Sequence, residues 1–344
     1  MLYIRPNPLP VVMILRRDIL IAAVAVALAA VIALGCIGTD EEKDKITTLR
    51  IGYQPSTHQV AAMVAMEEGW WLEELKPFGI VKVEAFEFPS GPPEMQAMLG
   101  GHLDVAYVGA APPITAISQG LDAKIVAGVN TNGSNLMVRP EVGYDGPHSL
   151  KGLTLGTFPP GSIQDTVLKK WLKDNGMSPE EIDIKSMGPG DAVTAISAKR
   201  IDCCFLPTPA PSIIELAGTG RSVVASGEMW PNHACCALVV SGKLIRNQPE
   251  LVEEIIRIHI KANRFINENP ERAAEIYSAK TGQDLAMVKH SIEHWDGGWI
   301  SDPHMTIPST MEFARINYEL GYTGGRLLTE NDLFDTSFYD RVMG

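Results

Sequence analysis

Thiols are the first candidates for chemistry in this sequence. Cys203-Cys204 and Cys235-Cys236 stand as two adjacent pairs, and His233 lies just before the second pair. Each pair falls in an apolar run with strand character, 201–206 and 234–240. Successive residues of a strand point to opposite faces, so at most one thiol of each pair is expected to face a common partner. That argues against a four-thiolate zinc cage. It also argues against His233 and Cys235 as a base–nucleophile pair, because a reactive thiol is usually exposed. We read the thiols first as small buried apolar groups, with a cross-strand disulfide left open. His290 and His294 have the i, i+4 spacing of a metal site on a predicted helix. The HExxH order and a third ligand are missing, so a solvated helix face is expected there. No catalytic residue, metal ligand or cofactor is assigned.

A second chemistry, hydrogen bonding to an anion, is offered by four segments: Gln54-Pro-Ser-Thr-His58, Gly109-Ala110-Ala111-Pro112, Gly161-Ser162-Ile163-Gln164 and Pro207-Thr208-Pro209. Each follows an apolar run of strand length and precedes a helical pattern. In open α/β sheets, ligands sit beyond the carboxyl ends of the parallel strands, where unpaired N–H groups at helix starts carry partial positive charge. Gln54, Thr57, His58, Ser162, Gln164 and Thr208 add polar side chains, and the small Ala110 and Ala111 allow close approach to the backbone. The alternative is that the Ser and Thr residues are ordinary helix N-caps.

The elements that would position these residues show in the order of the chain. Leu49-Arg-Ile-Gly-Tyr-Gln-Pro55 recurs as Leu153-Thr-Leu-Gly-Thr-Phe-Pro159, and Asp104 and Asp202 each open an apolar strand that leads to a Pro-rich helix start. Both echoes lie about 100 residues apart in the same order, as expected of two lobes with one topology. Strands are predicted at 48–53, 81–88 and 103–109, then at 153–158, 182–187 and 201–206, with helices between them. That alternation implies α/β lobes built on parallel sheets. Helices are predicted at 249–267, 270–280, 284–293 and 308–320, all behind the first lobe. The crossings between lobes are expected near 130–140 and 228–238. The first lobe is therefore drawn as 48–133 with 237–344, and the second as 134–236.

With 29 basic against 41 acidic residues, a net charge of −12 argues against nucleic acid as a partner. Arg16 and Arg17 precede an uncharged run over 19–34 that ends at Gly35-Cys36, followed by polar residues. This is the layout of a signal peptide over 1–36, starting at Met1 or Met13, with an acidic linker over 37–47. Ala33-Leu34-Gly35-Cys36 resembles the lipobox of secreted lipoproteins, although Ala33 replaces the usual Leu. That resemblance implies lipid attachment at Cys36 and anchoring to the outer face of the cell membrane.

Taken together, Leu49-Arg-Ile-Gly-Tyr-Gln, Phe88-Pro-Ser-Gly-Pro, Leu103-Asp-Val-Ala-Tyr-Val-Gly-Ala-Ala-Pro-Pro, Leu150-Lys-Gly-Leu-Thr-Leu-Gly and Gly161-Ser-Ile-Gln resemble the nitrate/sulfonate/taurine (NMT1-like) substrate-binding proteins of ABC importers. The resemblance implies a type II periplasmic-binding fold, with two similar α/β lobes around a central ligand cleft. It further implies a small anionic ligand, passed to a permease and an ATPase encoded elsewhere. A sulfonate of the alkanesulfonate type or a nitrate-like oxyanion is expected. Asn135 stands where aminosulfonate binders tend to have an acid, and Pro207-Thr208-Pro209 where many have Trp-Asp-Pro, so taurine is disfavoured. Trp230 matches an often aromatic position and joins the candidate ligand-binding set. The alternatives are a pyrimidine-binding protein and an enzyme similar to hydroxymethylpyrimidine phosphate synthase.

Overall fold

In the computed structural model, which describes residues 45–344, the chain forms ten strands. They are β1 (Thr48–Tyr53), β2 (Lys82–Glu87), β3 (Val105–Gly109), β4 (Ala123–Thr131), β5 (Ser134–Val138), β6 (Thr154–Thr157), β7 (Asp183–Ser186), β8 (Cys203–Pro207), β9 (Arg221–Ala225) and β10 (Ala234–Ser241). The expected signal peptide, Cys36 and most of the acidic linker lie outside the described residues. Among the described residues, no helix is long and apolar enough to cross a membrane.

Two five-stranded sheets result, ordered β2-β1-β3-β10-β4 and β7-β6-β8-β5-β9. Position for position they share one topology, with β6, β7 and β8 standing where β1, β2 and β3 stand. β1 pairs in parallel with β2 and β3, and β6 in parallel with β7 and β8. The sheets are nevertheless mixed, where a parallel sheet was expected. β10 runs antiparallel to β3 and β4, and β5 antiparallel to β8 and β9. The reason lies in the route of the chain: β5 and β10 are the strands reached by crossing from the other sheet, so they enter from the opposite end.

β3 and β8 are buried along their whole length, which explains their unbroken apolar runs: a strand covered by helices on both faces has no solvent side to mark with polar residues. The aspartate that precedes each has a common job. Asp104 accepts hydrogen bonds from the backbone N–H of Arg50 (2.9 Å) and from its guanidinium (2.8 Å). Asp202 accepts from the N–H of Thr154 (2.9 Å) and from Arg139 (2.6 Å). Each carboxylate thus pins the start of one parallel strand to the next.

The helix Pro249–Glu268 packs on Val60–Glu67 behind the first sheet, together with Pro270–Thr281. The next two long helices reach further. Leu285–Glu293 also touches Ala210–Leu216 below the second sheet, and Ile307–Glu319 packs between Pro112–Ser118 and Ile163–Asp174.

Asp104→Ala should lower the unfolding free energy by about 1–3 kcal/mol, because the N–H of Arg50 loses its buried acceptor. Asp202→Ala should cost less, since that carboxylate is 26% exposed against 8%. Denaturant unfolding of the two variants measures the difference.

Candidate ligand-binding site

A cleft of about 600 Å³ opens between the carboxyl ends of the two sets of parallel strands. Five helices have their first residue in its wall: Gly91–Leu99, Pro112–Ser118, Ile163–Asp174, Pro189–Ser197 and Ala210–Leu216. Four of them carry proline in the first two positions and lack the N–H groups that proline removes. The helix Ile163–Asp174 carries none there, so the N–H groups of Ile163 and Gln164 remain, with no acceptor inside their own helix. Ser162 caps this start by accepting from the N–H of Asp165 (3.2 Å). The negative charge of Asp165 is already engaged, by Lys169 at 2.7 Å, the Tyr322 hydroxyl at 3.0 Å and the N–H of Gly161 at 3.1 Å.

Of the residues expected at the site, Gln54, His58, Ser162, Gln164 and Thr208 line the cleft. Thr57 lies buried beside it, and its hydroxyl meets that of Thr208 at 2.8 Å across the two lobes. Gln164 donates to the Ser134 hydroxyl at 3.0 Å. Ala110 and Ala111 are buried behind the wall, with the N–H of Ala110 bound to the carbonyl of Cys235 (2.8 Å). Trp230 does not reach the cleft. Its ring packs edge-on against Phe313 at 4.8 Å and lies under the Lys170 ammonium at 5.0 Å. Asn135 is not among the lining residues either, and its side chain donates to Ser222 at 2.8 Å.

The charged groups of the wall, Glu87, Asp191 and Lys280, are all exposed, and no arginine is among the described lining residues. Behind Gln54 sits Glu94, fully buried, with one carboxyl oxygen taking the Gln54 amide and the other without a partner. Burial holds this carboxyl well above the usual carboxylate range, with nearby Cys236 adding to the effect and the Gln54 hydrogen bond opposing it.

The floor of the cleft corrects the expectation for the thiols. Between Ala234 and Ala237 the register of β10 against β4 shifts, so that Cys235 is an extra residue in the ladder. A β-bulge of this kind re-aims side chains. Both cysteines border the cleft, and their Sγ atoms lie 3.8 Å apart. Cys203 and Cys204 have no such shift and belong to separate core clusters; all four thiols are free and buried. The imidazole that meets a thiol is His58, whose Nδ1 lies 2.9 Å from Cys235 Sγ. His233 instead places its Nδ1 2.8 Å from the carbonyl of Trp230. The hydrogen bond between the two thiols lowers Cys236, opposed by burial, and pushes Cys235 up. His290 and His294 stack ring on ring at 4.1 Å, away from the cleft wall.

The model of the NMT1-like family matches residues 42–280. The chain belongs to the NMT1-like family. The resemblance in its strand-end motifs thus has its counterpart over most of the folded chain. A relative, the putative aliphatic sulfonates-binding protein of Bacillus subtilis (strain 168), is 27% identical over 277 residues, 78% of this chain and 81% of that one. The alkanesulfonate-binding protein SsuA of Xanthomonas axonopodis pv. citri, solved with MOPS bound, superposes with a TM-score of 0.76 at 20% identity, covering 84% of this chain and 99% of that one. The periplasmic nitrate-binding protein NrtA of Synechocystis PCC 6803 gives 0.74 at 16% identity, over 87% and 88%. The fold is the type II periplasmic-binding fold, two similar α/β lobes around a central cleft.

Sequence reasoning missed Glu94, Cys235 and Cys236 as parts of this NMT1-like site. Glu94 lies in the first turn of Gly91–Leu99, where an acid is ordinary, and the bulge is set by pairing with β4. Because the folded protein keeps Glu94 protonated, its unfolded form ionises first, near pH 4.3, and stability is lost as pH rises beyond that. Glu94→Gln removes this loss. Its unfolding free energy relative to the parent should therefore grow as pH rises above about 4, measured by urea titration at each pH.

Proposed function

We propose that this chain is the extracytoplasmic substrate-binding component of an ABC importer, holding a small oxyanion in the cleft between its lobes. The observation that carries the reading is the start of the helix Ile163–Asp174: a serine cap, two N–H groups without intrahelical acceptors, and no proline, set in the cleft wall. Such a start binds anions through backbone dipoles. Gln54, Thr208 and Gln164 supply further uncharged hydrogen-bonding groups, so affinity needs no buried Lys or Arg. His58 forms part of the wall.

The size of the cleft favours an alkanesulfonate-type ligand over nitrate. A volume of about 600 Å³ is that of a pocket for an organic molecule. Phe158, Ile163, Val193 and Ile213 give part of the wall an apolar surface for a tail. The names of the relatives, aliphatic sulfonate and alkanesulfonate binders, support the same class. Closure of the lobes would complete the contacts to the ligand and shift the population toward the closed form. Delivery is to a permease and an ATPase encoded elsewhere. Cleavage after residue 35 and lipidation of Cys36 would hold the protein at the outer face of the membrane.

Thermal-shift and calorimetric titration with alkanesulfonates, taurine, nitrate and pyrimidines test this reading. An alkanesulfonate at 100 times its Kd should add about 2.7 kcal/mol of stability, whereas a response to pyrimidines alone would refute the anion. Ser162→Asp separates binding from folding. Asp caps a helix as well as Ser does, so stability should hold, while a negative charge at the helix start should weaken anion binding at least about tenfold.

A further inference from the structure

We propose that His58, Cys235 and Cys236 form a three-ligand site for a soft closed-shell cation, Zn²⁺ or Cu⁺, at the floor of the cleft. One nitrogen and two sulfur atoms lie within 4.8 Å of one another, and the residues are only 1%, 2% and 4% exposed. Side chains brought together from positions 177 residues apart in a buried wall are held there by specific contacts, and each contact suits a metal.

The histidine is in the right tautomer. Its Nε2 lies 2.7 Å from the carbonyl oxygen of Gly133, which can only accept, so Nε2 carries the proton. Nδ1 is then left with its lone pair, and it is Nδ1 that faces the thiols. Metal-bound histidines are oriented in this way, by donation of the second ring N–H to a carbonyl or carboxylate. Trp295 packs edge-on against the ring at 5.2 Å and fixes its plane. Asn130 ties the two ligand-bearing segments together, donating to the carbonyl of His58 (2.6 Å) and accepting from the N–H of Cys236 (2.9 Å). Gln59 directs its amide N–H toward Cys236 Sγ at 3.6 Å, a donor suited to a thiolate.

The donor set selects the ion. Two sulfurs and an imidazole favour Zn²⁺ and Cu⁺ over oxygen-seeking Mg²⁺ or Ca²⁺. Both cysteines and the histidine border the cleft, which gives a cation its way in. Zinc sites with three protein ligands keep a fourth position open, and here it would face the cleft. Binding releases the thiol protons to solvent. The site rests on its own residues and not on which anion the cleft takes.

The test is to load the reduced, metal-stripped full chain with Zn²⁺, with Co²⁺ as a spectroscopic probe, and with Cu⁺ under anaerobic conditions. Equimolar metal should be retained after gel filtration, and the Co²⁺ form should show thiolate-to-metal charge-transfer absorption. His58→Gln should weaken binding at least about tenfold, the Cys235→Ser/Cys236→Ser double variant should abolish it, and Cys203→Ser/Cys204→Ser should leave it unchanged. In the unmutated chain, bound metal should protect Cys235 and Cys236 from alkylation, read by peptide mapping, whatever the folding of the variants. Competition between the two ions identifies the preferred one. Failure to retain metal, equal protection of Cys203 and Cys204, or a charge-transfer band that survives loss of both Cys235 and Cys236 overturns the proposal.

Discussion

Both passages between the lobes are held by one carboxylate. Asp296 accepts from the N–H of Gly133, on the way out of the first sheet, at 2.8 Å, and from the N–H of Gly227, on the way back, at 2.6 Å. Asn132 returns a hydrogen bond to the Asp296 carbonyl at 2.9 Å. The first passage can turn here only because Asn132 and Gly133 adopt positive φ, 51° and 87°. At Gly133 a Cβ would lie 2.6 Å from His58 Nε2. The residue that lets the chain cross is therefore also the residue that lets His58 seat against the crossing. Lobe geometry and cleft floor depend on the same few atoms.

An acidic protein can host an anion if the negative charges near the cleft are neutralised or held at its rim. Two different devices do this. Asp165, one turn into the helix that starts at the cleft, is paired with Lys169 and Tyr322. The carboxyl of Glu94, behind Gln54, is held well above the usual carboxylate range, chiefly by burial. What remains in the wall is backbone and uncharged side chains, with Glu87, Asp191 and Lys280 exposed to solvent, where their fields are screened. The net charge of −12 and an anion-compatible cleft do not conflict.

The lobes are also tied from behind. Ile307–Glu319 touches helices of both, and its Asn317 lies 3.1 Å from the Thr166 hydroxyl in one lobe while donating to the Ala111 carbonyl in the other at 3.4 Å. Gly109, at the end of β3, leaves room for Ile163 of the second lobe, since a Cβ there would lie 2.9 Å from its side chain. The Thr57–Thr208 hydroxyl contact lies beside the first passage, where the N–H of Thr208 donates to the Gly133 carbonyl at 3.0 Å.

Whatever depends on local pattern was legible in the sequence. The repeated strand–helix order, the strand-opening aspartates Asp104 and Asp202, and the polar strand ends at Gln54, Ser162 and Thr208 follow from hydrophobic period and turn chemistry within windows of about ten residues. Tertiary structure alone decided the rest. Alternation along a strand predicts that Cys235 and Cys236 diverge, and only the pairing of β10 with β4 inserts the bulge that brings them together. Trp230 and Asn135 sit on the expected elements, but their directions are set by Phe313 and Ser222, partners at a distance in the chain. His58 and Cys235 are 177 residues apart, and no local rule relates them. A sequence carries its short-range geometry in its periodicity, whereas a site assembled from several strand ends exists only once packing has chosen which ends meet.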